Sequence, residues 1–226
     1  MLADLRQFVE TTLLAVAALL PIVNPLGGAP IYLAKTVDMS AQEHGELAKR
    51  VAINSFLLLI ASALIGAYVL DFFGLSIPVV QVGGGLVVSS IAWTMLNAPD
   101  NAAPMQRDAA RAVSPGDLKR RAFYPLTMPL TVGPGSISVA ITLGANQSHV
   151  ALRPLILTVA AHLVGITIVA IIVFLCYRYA ERILRKLGDV GTEVVIRLSA
   201  FILLCIGVQI VWNGVSALVE TLHFAN

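Results

Sequence analysis

Two short stretches hold the residues able to do chemistry, and the chemistry they offer comes from bare backbone rather than ionised side chains. One is Asn24, Pro25, Leu26, Gly27, Gly28, Ala29 and Pro30; the other runs Thr127, Met128, Pro129, Leu130, Thr131, Val132, Gly133, Pro134, Gly135 and Ser136. A helical proline cannot donate to the carbonyl four residues back. Pro25 would free the Pro21 carbonyl, Pro30 that of Leu26, Pro129 that of Pro125, and Pro134 that of Leu130. The residues before these prolines (Asn24, Ala29, Met128 and Gly133) are also pushed away from helical geometry. Both stretches lie within apolar segments of membrane-spanning length, where lipid cannot replace a lost hydrogen bond. The interrupted backbone must therefore line a polar cavity or be buried in protein.

Half-helices that end near Ile22–Val23 and Leu126–Thr127 would expose carbonyls. Half-helices that begin near Gly28–Ala29 and Gly133–Gly135 would expose free N–H groups and a partial positive charge. Together they offer donors for a carboxylate and acceptors for an ammonium. The candidate binding set is Asn24, Pro25, Gly27, Gly28, Ala29, Thr127, Met128, Pro129, Thr131, Gly133, Gly135 and Ser136. Its Gly, Ala, Thr and Ser content leaves room for close backbone approach and favours small ligands. Asn24 is expected to contact ligand or to cap a half-helix. The competing reading is that the prolines merely kink packed helices, since Pro and Gly are common in membrane spans.

The side-chain census narrows the ligand. All 13 Asp and Glu residues fall in loops or near span ends, and no Lys or Arg falls near mid-span. A cation exporter or carboxylate relay would keep an acidic group at depth, so a formally neutral site suits a zwitterion or an uncharged solute. His162 is the one imidazole expected at membrane depth, with two open roles: an interhelical hydrogen bond, or proton coupling and substrate contact. Asn54, Gln81, Gln209 and Asn213 read as interhelical glue. The sequence has no H-E-x-x-H, no G-x-S-x-G, no paired membrane carboxylates and no Cys/His metal cluster, which argues against an enzyme. Cys176 and Cys205 read as small core residues. No cofactor, metal or nucleic acid partner is expected.

These residues need a scaffold that crosses the bilayer. Of 226 residues, 58% are hydrophobic and 12% charged, with mean hydropathy +0.85, the composition of a polytopic membrane protein. Spans are expected at about 10–36 (broken at the first stretch), 51–70, 75–96, 122–145 (broken at the second), 154–177 and 198–219. A polar linker, 97–121, separates two three-helix halves, 1–96 and 122–226. Adding 104 to Pro21, Pro25 and Pro30 gives Pro125, Pro129 and Pro134. Chance would produce such a match roughly once in 100 sequences, so it marks an internal repeat. A Gly also precedes the third span of each half, at Gly74 and Gly188. An odd number of helices per half makes the repeats inverted. The expected fold is an all-α polytopic membrane protein of six transmembrane helices, two inverted three-helix repeats with discontinuous first and fourth helices.

Of the 15 Lys and Arg residues, Arg6 and Arg153 fall on one side and the other thirteen on the opposite side. The positive-inside rule places both termini outside the cytoplasm. The first apolar run reads as a retained span rather than a signal peptide. Residues 177–188 look like an amphipathic continuation of the fifth helix, its basic face among anionic head groups. Arg197, near the start of the sixth span, is expected to snorkel. Gly83, Gly84, Gly85, Ser89 and Ser90 give the third span a small-residue packing face, with Ala200 and Gly207 doing likewise in the sixth.

Asn24-Pro25-Leu26-Gly27-Gly28-Ala29-Pro30 and Met128-Pro129-Leu130-Thr131-Val132-Gly133-Pro134-Gly135-Ser136 resemble the paired signatures of the MarC family of six-helix prokaryotic inner-membrane proteins. The resemblance extends to Phe73-Gly74-Leu75-Ser76-Ile77-Pro78, Gly84-Gly85-Leu86 and Ile206-Gly207-Val208-Gln209. It implies transport of small neutral amino acids such as glycine and alanine, in at least some members. The family's motif carries over to Asn24, Pro25, Gly27, Gly28, Pro30, Met128, Pro129, Gly133, Pro134, Gly135 and Ser136. The expected function is thus a secondary carrier in the lipid bilayer of the inner membrane, working by alternating access with a proton or sodium as coupling ion. An efflux carrier for another small uncharged metabolite or drug, and a channel, remain as alternatives.

Overall fold

The computed structural model describes residues 2–37, 39–97, 118–145 and 152–223, and among these the regular structure is helical. In chain order the elements are α1 (Leu2–Val23), α2 (Pro25–Ala34), α3 (Ala41–Phe72), α4 (Ile77–Leu96), α5 (Leu118–Arg121), α6 (Ala122–Thr131), α7 (Pro134–Ala145), α8 (Leu152–Arg178) and α9 (Ala180–His223). Among the described residues, five stretches are long and apolar enough to cross a membrane: Asp4–Ala34, Ala41–Phe72, Ile77–Leu96, Leu155–Arg178 and Val190–Thr221. A sixth is added if α6 and α7, bent by 72°, count as one span. The linker expected over 97–121 lies largely outside the described residues.

Local signals account for where the long helices start. Ser40 and Glu43 form a reciprocal cap on α3: the Ser40 N–H donates to Glu43 Oε2 at 2.8 Å, and the Glu43 N–H to Ser40 Oγ at 3.4 Å. That cap starts α3 ten residues before the expected apolar span. Gly74, before α4, and Gly188, within α9, both take positive φ, 67° and 66°, a conformation glycine adopts at no steric cost. Helical bonding continues across Tyr179, with Tyr179 N donating to Leu175 O and Ile183 N to Tyr179 O, so 180–187 prolongs α8 up to the Gly188 turn.

Packing follows a simple scheme. The first span (α1 with α2) lies on α8 and α9, the fourth (α6 with α7) lies on α3 and α4, α3 packs on α8, and α4 on α9. Exchanging α1–α2 with α6–α7, α3 with α8, and α4 with α9 returns the same set of pairs. Glycines bring α4 and α9 into close approach: a Cβ on Gly85 would stand 2.7 Å from the Gly207 carbonyl oxygen, and one on Gly214 2.7 Å from that of Pro78. The glycine triplet does not act as one face. Gly83 meets nothing, Gly84 meets Ser138 of α7, and Gly85 meets α9.

The backbone at the first proline stretch departs from the sequence reading in two ways. Pro25 occupies the first position of α2, so this helix begins at Asn24–Pro25 rather than at Gly28–Ala29. Ala29 stays helical with Pro30 inside α2, because a ten-residue helix between packed neighbours holds its turn despite one missing donor. In the second stretch the helical backbone does break after Leu126–Thr127, at the extended Met128, and it also breaks earlier, at the extended Tyr124, so α6 reaches Thr131 across two kinks. The prolines that open helices are Pro25 and Pro134, which are not partners in the 104-residue register. Asn24 is left-handed (φ 45°, ψ 57°), whereas its counterpart Met128 is extended (φ −116°, ψ 124°).

Candidate functional site

A cavity of about 570 Å³ lies between the two proline stretches. One wall is Ile22, Val23, Asn24, Gly27, Gly28 and Ile31; the facing wall is Pro129, Leu130, Thr131, Gly133, Pro134, Gly135 and Ser136. α4 closes a third side with Val87, Val88, Ser90, Ile91, Thr94 and Met95, and Leu203 of α9 completes it. Lys35 and Tyr124 also line it, and among the described residues Lys35 is the only ionisable group of full charge on its surface.

On the first wall, Asn24 is positioned by its own helix. Its Oδ1 accepts from the Gly27 N–H at 3.2 Å while its carbonyl accepts from Gly28 N at 3.0 Å, which caps α2. The cap uses the side-chain oxygen and leaves the Nδ2 donors for other partners.

On the second wall, threonine hydroxyls bond backbone carbonyls beside the prolines. Thr127 Oγ1 donates to the Ala122 carbonyl and Thr131 Oγ1 to that of Leu126, each at 2.7 Å and five residues back. Val132 N donates to the Thr127 carbonyl at 2.8 Å with the same spacing. Such wide turns recur at functional positions in helices. Ser136 Oγ donates to the Gly133 carbonyl at 3.0 Å at the start of α7.

Tyr177 of α8 joins the walls. It is buried, its hydroxyl is 2.9 Å from Thr131 Oγ1, and a Cβ on Gly28 would sit 2.6 Å from that same hydroxyl. Its ring stacks on Tyr32 of α2 at 4.6 Å between centroids, and Tyr32 donates to the His44 carbonyl at 2.7 Å. Glycine at position 28 is thus what lets α8 approach the first wall.

Of the expected binding residues, Asn24, Gly27, Gly28, Pro129, Thr131, Gly133, Gly135 and Ser136 line the cavity. Pro25, Ala29 and Thr127 are buried behind it, and Met128 is half-buried outside it. His162 lies elsewhere, in a narrow crevice between α3 and α8 with Ile60, Ala63 and Leu64. Gln81 Nε2 reaches Thr142 Oγ1 of α7 at 3.1 Å, as interhelical glue should. Gln209 instead bonds Asn213 within α9.

The sequence matches the profile described as "MarC family integral membrane protein" over residues 9–219. The chain belongs to the MarC family. It is 32% identical to the UPF0056 inner membrane protein MarC of Salmonella arizonae over 213 residues, 93% of this chain and 96% of the relative. It is 31% identical to the proteins of the same name from Salmonella typhimurium, over 212 residues, and Escherichia coli O1:K1, over 213, with the same coverage. No solved structure matches. The apolar helices and the relatives' name together make this MarC-family chain a multi-pass inner-membrane protein.

Reading the sequence of this MarC-family protein from its motifs missed the α4 wall, Lys35, Tyr124 and Tyr177. For α4 a signal was present: Ser90 and Thr94, four residues apart on an otherwise apolar span, share one face. For Tyr177 there was none, since an aromatic near a span end reads as an interface anchor.

Proposed function

We propose that this protein is a secondary carrier of small neutral amino acids of the glycine and alanine class, binding substrate between the two proline stretches. The observation that carries this reading is that two motifs about a hundred residues apart line one cavity, with Asn24, Gly27 and Gly28 facing Thr131, Gly133, Gly135 and Ser136. Their amides and hydroxyls suit a zwitterion, and Lys35 at the mouth attracts its carboxylate.

The halves 1–96 and 122–226 act as inverted repeats and rock about the site in alternating access. The exchange-symmetric packing of the spans and the matching positive φ of Gly74 and Gly188 support this symmetry. The interruptions at Asn24 and at Val132–Gly133 serve as the discontinuities of the first and fourth spans. Most lining residues fall in the half of their span that the Lys/Arg distribution assigns to the cytoplasm, at 23–35, 87–95, 124–133 and 203, while 22 and 134–136 lie at mid-span. On this reading the cavity faces inward, both termini lie outside, and closure over Lys35 and Tyr124 accompanies the outward turn. A proton or sodium gradient is the expected drive.

The cavity's volume favours a second reading. About 570 Å³ lies within the range of drug-sized sites, and Ile22, Val23, Ile31, Val87, Val88, Ile91 and Leu203 make much of its wall apolar. A larger uncharged solute would fill that space. Purified protein in liposomes separates the two readings. Glycine or alanine counterflow with trans-stimulation is expected of the carrier, while a channel gives flux without trans-stimulation. No amino acid flux under proton, sodium or solute gradients, with thermal stabilisation by apolar aromatics alone, sinks the amino acid assignment.

A further inference from the structure

Residues 198–219 of α9 carry no charge and are bracketed by Arg197 and Glu220, which sets the depth of this span. Gln209 stands at its middle, and Asn213 lies one turn further, about 6 Å along the axis. Both side chains are exposed, as are Cys205 and Trp212 beside them. The face is not used by the fold: Gly207 and Gly214, which pack on α4, lie roughly 150° round the helix from Gln209. Gln209 Nε2 donates to Asn213 Oδ1 at 2.8 Å. That bond leaves the Asn213 N–H donors and the Gln209 carbonyl oxygen still to be matched. Acyl chains supply neither donors nor acceptors at this depth, and lipid headgroups do not reach it. Amides placed so are a recurrent means of joining transmembrane helices.

We infer that this face of α9 is the contact with a second copy of the same chain, paired through Gln209 and Asn213. All copies in one bilayer share an orientation, so a two-fold axis runs along the membrane normal and brings the two α9 helices together in parallel. A two-fold contact must be self-complementary. Amides meet that demand, because each donates and accepts: the Asn213 N–H groups of one copy face the amide oxygens of its partner. The inference is independent of what the cavity binds.

The test is the dimerisation equilibrium of the full chain in liposomes, read by single-molecule photobleaching across a range of protein densities. Wild type is expected to pass from monomer to dimer. Gln209→Leu with Asn213→Leu should raise the dissociation constant by about threefold per amide, near tenfold together. Thr167→Val on the exposed face of α8 should leave it unchanged. A readout free of substitutions at the amides comes from the native cysteines: oxidation in membranes should link Cys205 to Cys205 of the partner, and Cys205→Ser should abolish the product, since Cys176 is buried. Monomers at every density, or undiminished dimerisation of the double-leucine variant, overturn the inference. Association seen only in native membranes also overturns it, because the partner is then another protein.

Discussion

The Tyr177 hydroxyl donates its proton to Thr131 across 2.9 Å, because the Thr131 proton is committed to the Leu126 carbonyl at 2.7 Å. One side chain of α8 therefore depends on the backbone geometry of the second proline stretch while pressing on Gly28 of the first. The two walls of the cavity are coupled through it.

Direction matters for what substitution does. Thr131→Val leaves the Tyr177 donor and the Leu126 carbonyl both unmatched in a buried place, whereas Tyr177→Phe removes a donor and leaves Thr131 still bonded to Leu126. Thr131→Val should destabilise by about 1–3 kcal/mol and Tyr177→Phe by roughly 0.5–1.5 kcal/mol. Thermal unfolding of both single variants and the double variant checks this. Equal losses would mean that the proton runs the other way.

Gly28 and Gly83 make a matched pair for testing close approach. A methyl at 28 would meet the Tyr177 hydroxyl at 2.6 Å, while a methyl at 83 meets nothing within 4 Å. Gly28→Ala should displace Tyr177 from Thr131, lower stability by about 1–3 kcal/mol and depress uptake. Gly83→Ala should be neutral or slightly stabilising, by up to about 1 kcal/mol. Melting temperature and uptake measured side by side decide it, and a silent Gly28→Ala would remove the Tyr177 clamp from the account.

What could be read from the sequence was what covalent geometry and the bilayer dictate. Apolar length gave the spans, and proline marked where the backbone of the first and fourth changes course. What could not be read was how each interruption is resolved. Pro25 and Pro129 are equivalent by register, yet Pro25 opens α2 because Asn24 can take a left-handed conformation and cap it, which Met128 cannot do. Pro129 is instead held inside α6 by Thr127 and Thr131, whose hydroxyls bond carbonyls five residues back. The choice rests on side chains beside the prolines, not on the prolines themselves. The α4 wall was marked only faintly, by Ser90 and Thr94 on one face, because which face of a span looks inward depends on its neighbours.

Asn24 combines a backbone role with a place on the cavity wall, and three substitutions separate them. Asn24→Gly keeps the left-handed backbone and should cost only a few tenths of a kcal/mol. Asn24→Ala loses both cap and conformation and should cost about 2 kcal/mol. Asn24→Asp keeps the cap but removes the Nδ2 donor and adds charge to the wall. If Asn24 binds ligand, Asn24→Gly and Asn24→Asp should both melt near wild type yet bind substrate at least tenfold more weakly. Wild-type affinity in Asn24→Gly would confine the side chain to capping.

His162 offers the sharpest separation of a structural from a coupling role. It is 8% exposed, in a crevice of about 10 Å³ walled by Ile60, Ala63, Leu64, Val159, Leu163 and Ile166, apart from the residues that line the main cavity. That space is at the lower limit for one water molecule, so a water chain carrying protons between His162 and the substrate has no room there. His162→Ala should lower stability by about 1–3 kcal/mol through lost packing while leaving the ratio of uptake with and without a proton gradient unchanged. His162→Leu, which fills the volume without a titratable group, should recover the packing part of that loss and again keep the ratio. Loss of proton dependence in both variants would place His162 in the coupling mechanism, and would require an open form in which water reaches the α3–α8 seam.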